Sequence, residues 1–128
     1  MFELTINGEV YSFNAGMGFL REVNKRYSQP VDGIPGAKQN VGLSLMVAGI
    51  MDGDVESLVD ALEAANKGCN PRITRAGLDA YIDNECEDID ALFESVLDFL
   101  RNSNATKKVV SNLQERVEKA KADAEAKK

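Results

Sequence analysis

Residues 5–26, TINGEVYSFNAGMGFLREVNKR, change their period halfway. The first part alternates like a strand on either side of Asn7-Gly8, and the second repeats like a helix. Asn-Gly fits the central pair of a type I′ turn, which needs positive φ at both positions. A two-residue loop also fixes the register. Ile6 then faces Glu9, Leu4 faces Tyr11 and Phe2 faces Phe13, so six side chains share one face and five of them are apolar or aromatic. Glu3, Thr5 and Ser12 point the other way. A two-stranded hairpin alone is marginal in water. Its apolar face must therefore cover a helix, or its edge must join another sheet.

Beyond the hairpin nearly every segment reads as helical. Phe19, Leu20, Val23 and Tyr27 set a helix over 17–27, with Glu22 and Arg26 as an i,i+4 pair. Pro30, Gly33, Pro35 and Gly36 make 28–36 a loop. Residues 38–51 contain VGLSLMVAGIM, which is apolar almost all round and predicts a central buried helix. Periodicity alone leaves a short buried strand open there. Asp54 is placed to cap a helix carrying Val55, Leu58, Val59 and Leu62, stopped by Gly68 and Pro71. Thr74 opens a short helix through Tyr81 and Ile82. Ile89, Leu92, Phe93, Val96, Leu97 and Leu100 form an amphipathic helix led by Glu87, Asp88 and Asp90 at its positive end.

Asn104 is the expected cap of a last helix. In it Val110, Leu113, Val117, Ala120 and Ala124 step by 3, 4, 3 and 4, a coiled-coil-like seam of about two heptads. The seam weakens from Val and Leu to Ala, so AKADAEAKK, 120–128, is expected to fray. The fold class read from these patterns is α+β, mostly α. An N-terminal two-stranded antiparallel β-hairpin packs on a bundle of about five to six helices. Residues 1–104 form a single globular domain (hairpin 2–14, helical body 17–102), and 105–128 form a C-terminal basic helix.

Composition narrows the chemistry. A chain of 128 residues suffices for one core. The absence of histidine removes Ser-His-Asp triads, Cys-His dyads and His-containing zinc sites. Cys69 and Cys86 have no metal or CxxC spacing and read as reduced thiols. No apolar run reaches the length of a membrane span, and MFELTINGEV has no n-region or h-region of a signal peptide. The net charge of −6 argues against nonspecific nucleic-acid binding. It is unevenly spread: residues 105–128 carry a net +3 and residues 1–104 a net −9.

Each motif with a chemical reading also has a plainer one. Asp52, Asp54, Glu56, Asp60 and Glu63 fall at the ligand spacing of a calcium loop, but Ser57 stands where that loop needs glycine. A capped amphipathic helix fits the segment better. Residues 79–98 hold eight carboxylates and no basic residue: Asp79, Asp83, Glu85, Glu87, Asp88, Asp90, Glu94 and Asp98. They read as a docking face for a basic partner or, more simply, as a solvated helix face with acids at a helix N-terminus. Gly16-Met17-Gly18 lacks every phosphate-loop signature. No metal, cofactor or catalytic residue is implied. The tail seam remains, to be packed on a partner's helix or on the chain's own body.

A resemblance goes further. LTINGEVYSFNAGMGFLREVNKR, GAKQNVGLSLMVAGIMDGDVESLVDALEAANKG, PRITRAGLDAYID and DIDALFESVLDFLRNSNATKKVV follow one another in the chain. The ordered set resembles the tail assembly chaperones of long-tailed phages and prophages of Gram-positive bacteria, the counterparts of the lambda G protein. The resemblance implies a non-enzymatic protein that binds the tape measure protein, keeps it soluble and helps recruit tail tube subunits during tail morphogenesis. It implies work in the host bacterial cytoplasm and absence from the mature virion. It also implies a longer frameshifted form of the same protein as a partner, and the ending Lys127-Lys128 is compatible with the short product. Val110, Leu113 and Val117 are then the candidate partner-binding residues. Phe2, Leu4, Tyr11 and Phe13 mark a candidate self-association edge for a homo-oligomer or repeating assembly. The alternative is a small acidic inhibitor or nucleic-acid mimic that fills a basic groove with the 79–98 carboxylates.

Overall fold

The Asn7-Gly8 pair forms the expected turn, with φ of 51° and 80°. It joins β1 (Phe2–Ile6) to β2 (Glu9–Phe13), which pair with Phe2 opposite Phe13, Leu4 opposite Tyr11 and Ile6 opposite Glu9. The computed structural model describes residues 2–26, 29–30, 38–39 and 42–126. After the hairpin come α1 (Met17–Arg26), β3 (Gln29–Pro30), β4 (Lys38–Gln39), α2 (Gly42–Met51), α3 (Val55–Asn66), α4 (Arg75–Ala80), α5 (Ile89–Arg101) and α6 (Lys107–Ala126). The fold is therefore α+β and mostly α: a hairpin followed by six α-helices among the described residues.

Two differences from the sequence reading lie around α2. Gln29 pairs with Gln39 and Pro30 with Lys38 in a second short antiparallel ladder, where a loop and the start of a helix were expected. The rest of the expected loop, 28 and 31–36, and the expected end of the first helix at Tyr27 lie outside the described residues. Helix α2 then begins at Gly42 rather than near Lys38. Its start is pinned by α1. Leu43 donates its N–H to Asn24 Oδ1 at 3.2 Å, and a Cβ on residue 42 would overlap the Val23 carbonyl and the Asn24 Cα. Only glycine allows this approach of the two backbones.

Helix α2 is central, lying against α1, α3, α5 and α6. It buries Leu43, Met46, Val47 and Ile50. It is not buried all round, however, because Leu45 stays 43% exposed. Helix α3 contributes Leu58, Val59, Ala61, Leu62, Ala64 and Ala65 to the core, and α5 contributes Leu92, Val96, Leu97 and Leu100. The caps read from sequence hold at α3 and α4, and Asp88, read only as an acid at the positive end of α5, turns out to cap that helix. Asp54 accepts from the Glu56 N–H, Thr74 from Gly77 and Asp88 from Ala91. Past α4 the chain makes one π-turn, Tyr81–Glu85, before α5.

The start of α6 corrects the Asn104 expectation. Thr106, fully buried, donates its hydroxyl to the Leu100 and Ser103 carbonyls, tying the end of α5 to the start of α6. Asn104 is exposed in the preceding turn. The core thus reaches past residue 104, through Thr106 to Val110. Helix α6 continues to Ala126, beyond the point where its apolar seam fades. Ala, Glu and Lys, which dominate that end, are strong helix formers.

The hairpin is held down at both ends. Phe13 is fully buried, and Phe2 stacks on Phe99 of α5 with centroids 5.2 Å apart. Buried Asn66, at the end of α3, donates to the Ser12 carbonyl at 2.9 Å and to the Pro71 carbonyl at 3.1 Å. It also accepts from the Ile73 N–H at 2.7 Å. Two separate segments, the hairpin and the 71–73 stretch, meet on this one amide. At the turn, both Glu85 carboxylate oxygens lie 3.0 Å from the Asn7 N–H.

Candidate protein-binding surface

The seam of α6 divides along its length. Val110, Leu113 and Val117 share one helix face by their 3-4 spacing, but they end in three environments. Val110 is fully buried and belongs to the core; Leu113 is half-buried against it; Val117 is 43% exposed. Beyond Leu113 the helix leaves the body, and the face it presented to the core becomes the wall of an open groove.

The opposite wall is the C-terminal half of α2. Ala48, Gly49 and Met51 line it, with Leu113 and Val117 across from them, around about 590 Å³ of open space. Gly49 is required here for packing, since a Cβ would collide with the Ser57 side chain of α3. Asp52 and Lys121 also line the groove. A second hollow is lined by Met51 with Val55, Ile89, Asp90, Phe93 and Glu94. Val55 is 40% exposed on the first turn of α3. Met51 lines both hollows, so apolar side chains of α6, α2, α3 and α5 line them together with the charged Asp52, Lys121, Asp90 and Glu94.

Ion pairs and shifted groups lie elsewhere. Glu22 pairs with Lys67 at 2.9 Å and with Arg26 at 3.1 Å. The hydrogen bond from Lys67, helped by Arg26, holds the Glu22 carboxyl below its ordinary value against the opposing effect of burial. Arg26 reaches on to Glu63 at 3.1 Å, and Arg75 joins Asp60 at 2.8 Å and Glu56 at 3.2 Å. This chain of charges laces α1, α3 and α4 together, and the hydrogen bond to Asp60 raises the pKa of Arg75. Burial raises the Tyr81 phenol, with Cys86 and Glu85 adding to it, and the Tyr11 phenol rises from burial followed by Glu9. A hollow between the start of α1 and the end of α3 includes Glu22, Lys67 and Cys69. Glu22 and Lys67 are spent on each other, so no open charge converges there.

The carboxylates of 79–98 divide by task. Asp88 caps α5, Glu85 holds the hairpin turn and Asp98 pairs with Arg101 at 3.1 Å. Asp79, Asp83, Glu87, Asp90 and Glu94 are exposed and make no ion pair among the described residues. Asp54, at the third position of the calcium-loop spacing, instead accepts from the Glu56 N–H and from the Ser57 hydroxyl at 2.8 Å. Among the described residues no cluster of three or more Cys, Asp or Glu is arranged to hold a metal ion, and no helix is long and apolar enough to cross a membrane.

The candidate hairpin residues face inward. Phe13 is sealed in the core, and Phe2, Leu4 and Tyr11 are half-buried against it. What the hairpin leaves open is backbone, along β1. Sequence reasoning missed the α2 wall of the groove, because an almost wholly apolar helix gives no sign of which side stays outside. Leu45, Ala48 and Met51 became distinguishable only once α1 and α3 had claimed the other side.

A groove between helices, open at the surface and lined mostly by apolar side chains, suits the apolar face of another helix. The class this geometry defines is a small, mostly helical protein with an open groove lined by apolar side chains. The family model of phage tail assembly chaperone proteins matches residues 3–115, and the chain belongs to that family. The match takes in the hairpin from Glu3, the first five helices and α6 as far as Glu115, and stops before Val117. No curated protein sequence and no solved structure matches the chain.

Proposed function

We propose that this chaperone binds the tape measure protein of its phage, keeps it soluble and helps recruit tail tube subunits while the tail is built. The observation that carries this reading is the open groove lined by Leu113, Val117 and Met51 in a chain of the tail assembly chaperone family. A long helical client exposes apolar stripes before it is sheathed. A groove of this shape takes such a stripe, and the acidic Asp90 and Glu94 of the second hollow favour a client segment flanked by basic residues. The contact is transient by design: it needs no covalent step, no metal and no cofactor. The work belongs in the host cytoplasm and the protein is left out of the finished virion. Further copies of the chain, including a longer frameshifted form, act beside it on the same client.

Coexpression tests the reading. The full chain keeps the tape measure protein in the soluble fraction, and Val117→Asp, which alters an exposed position, loses that effect while retaining the helical circular dichroism of the parent. A soluble client with Val117→Asp as with the parent overturns the groove as the contact. A second reading rests on the five exposed carboxylates of the α4–α5 face: an acidic surface that occupies a basic groove of another protein. It predicts binding that falls steeply with salt and is untouched by Val117→Asp.

A further inference from the structure

The two edges of the hairpin are not equivalent. In a hairpin closed by a two-residue turn, Ile6 and Glu9, Leu4 and Tyr11, and Phe2 and Phe13 exchange the ladder hydrogen bonds. The N–H and C=O groups of Glu3 and Thr5 then point out from β1, and those of Val10 and Ser12 point out from β2. The body covers the base of the β2 edge: Asn66 donates to the Ser12 carbonyl at 2.9 Å, and the Asn14 N–H donates to the Ala65 carbonyl at 2.9 Å. Among the described residues no group pairs with the outward backbone of Glu3 and Thr5. Sheet edges are ordinarily blunted by charged side chains, proline or a bulge. β1, FELTI, has no proline or bulge, its one charge is the exposed Glu3, and its register against β2 is regular throughout.

We propose that the β1 edge is an interface with a second copy of this chain, formed by antiparallel pairing of β1 with its twin about a two-fold axis at Leu4. Covering of the β2 base closes off head-to-tail pairing along the full strand, which leaves the self-complementary arrangement. In that register Glu3 lies opposite the twin's Thr5 and Thr5 opposite the twin's Glu3, so both outward residues of each strand make their ladder bonds. Phe2 falls beside the twin's Ile6 and the two Leu4 side chains meet, which continues the apolar face across four strands. No carboxylate faces a carboxylate. The inference rests on the proposed function only in taking further copies to act together; its test contains no client, so either can fail without the other.

The test is the oligomeric state of the purified full chain by light scattering and sedimentation over a wide concentration range. The parent reaches a monomer–dimer equilibrium and stops at dimer. Thr5→Pro removes two of four intermolecular hydrogen bonds without touching the hairpin ladder, and weakens dimerisation about thirtyfold. Thr5→Glu sets carboxylates opposite Glu3 and weakens it about threefold to tenfold, whereas Thr5→Lys sets an ammonium there and strengthens it by a similar factor. If Thr5→Pro fails to fold, the opposite signs of the two charged variants decide the matter. A parent that stays monomeric at its highest attainable concentration overturns the proposal. So does an oligomer indifferent to the charge at residue 5.

Discussion

Helices α3 and α6 sit on opposite terms with the core. Helix α3 spans 12 residues and buries eight of them, including Ser57 and Asn66. Helix α6 spans 20, yet Val110 is the one buried residue among those described. Both carry a clear apolar stripe in the sequence, so a stripe alone does not say what it faces. Helix α3 spends its stripe on α1, α2 and the hairpin. Helix α6 spends only its first turns on α2 and α5, then carries the remainder of its stripe past the body. Where α6 runs on past the body its apolar face is left uncovered, and the groove opens at that divergence.

Mutations separate the two helices. The largest loss is expected from Leu58→Ala, which empties a fully buried site on α3: about 2–5 kcal/mol by urea unfolding. Asn66→Ala follows at about 3 kcal/mol, because the Ser12 and Pro71 carbonyls and the Ile73 N–H all lose a buried partner. Its loss should also speed hydrogen exchange at the base of the hairpin ahead of the rest, read by mass spectrometry. On α6, Val117→Asp should change unfolding stability by no more than about 0.5 kcal/mol, since the position is open to solvent. A large destabilisation there would place Val117 in the core and erase the contrast.

The smallest effect is electrostatic. Glu22 has a lowered pKa in the folded chain, so its pairing adds stability above its ordinary value of 4.5 and loses it as pH falls through the folded value. The group is near the surface and screened, so the effect is read as a difference. Lys67→Ala should flatten the acid side of the stability profile below about pH 4.5 relative to the parent. High salt should shrink the gap between the two. Identical acid profiles would mean that the Lys67–Glu22 pair adds nothing to stability, Arg26 and Glu63 still joining α1 to α3.

Much of the fold was legible because local rules there have single solutions. Asn7-Gly8 admits one turn type and one register, and Asp54 and Thr74 each stand directly before an amphipathic run. What escaped depended on distant partners. The pairing of Gln29–Pro30 with Lys38–Gln39 is too short to leave a pattern. Gly42 sets the start of α2 only because α1 comes close, and Thr106 outdoes Asn104 because the Leu100 carbonyl lies within its reach. Asn66 looks like an ordinary polar residue at a helix end until the hairpin and the 71–73 stretch converge on it. The candidate surface was half visible. The 3-4 spacing put Val110, Leu113 and Val117 on one face, but only the position of α2 and α5 decides that Val110 is enclosed and Val117 is not.

The central claim is that a client stripe packs into the apolar groove between α2 and α6. The direct measurement is the affinity of tape measure protein helical segments for the parent, for Val117→Asp and for Asp79→Asn/Asp83→Asn, each at low and high salt. The account predicts that Val117→Asp weakens binding at least about tenfold at both salt concentrations, a polar group replacing a desolvated apolar contact, while the doubly neutralised acidic face binds much as the parent does. Binding that survives Val117→Asp but collapses in high salt or with the neutralised face would contradict it.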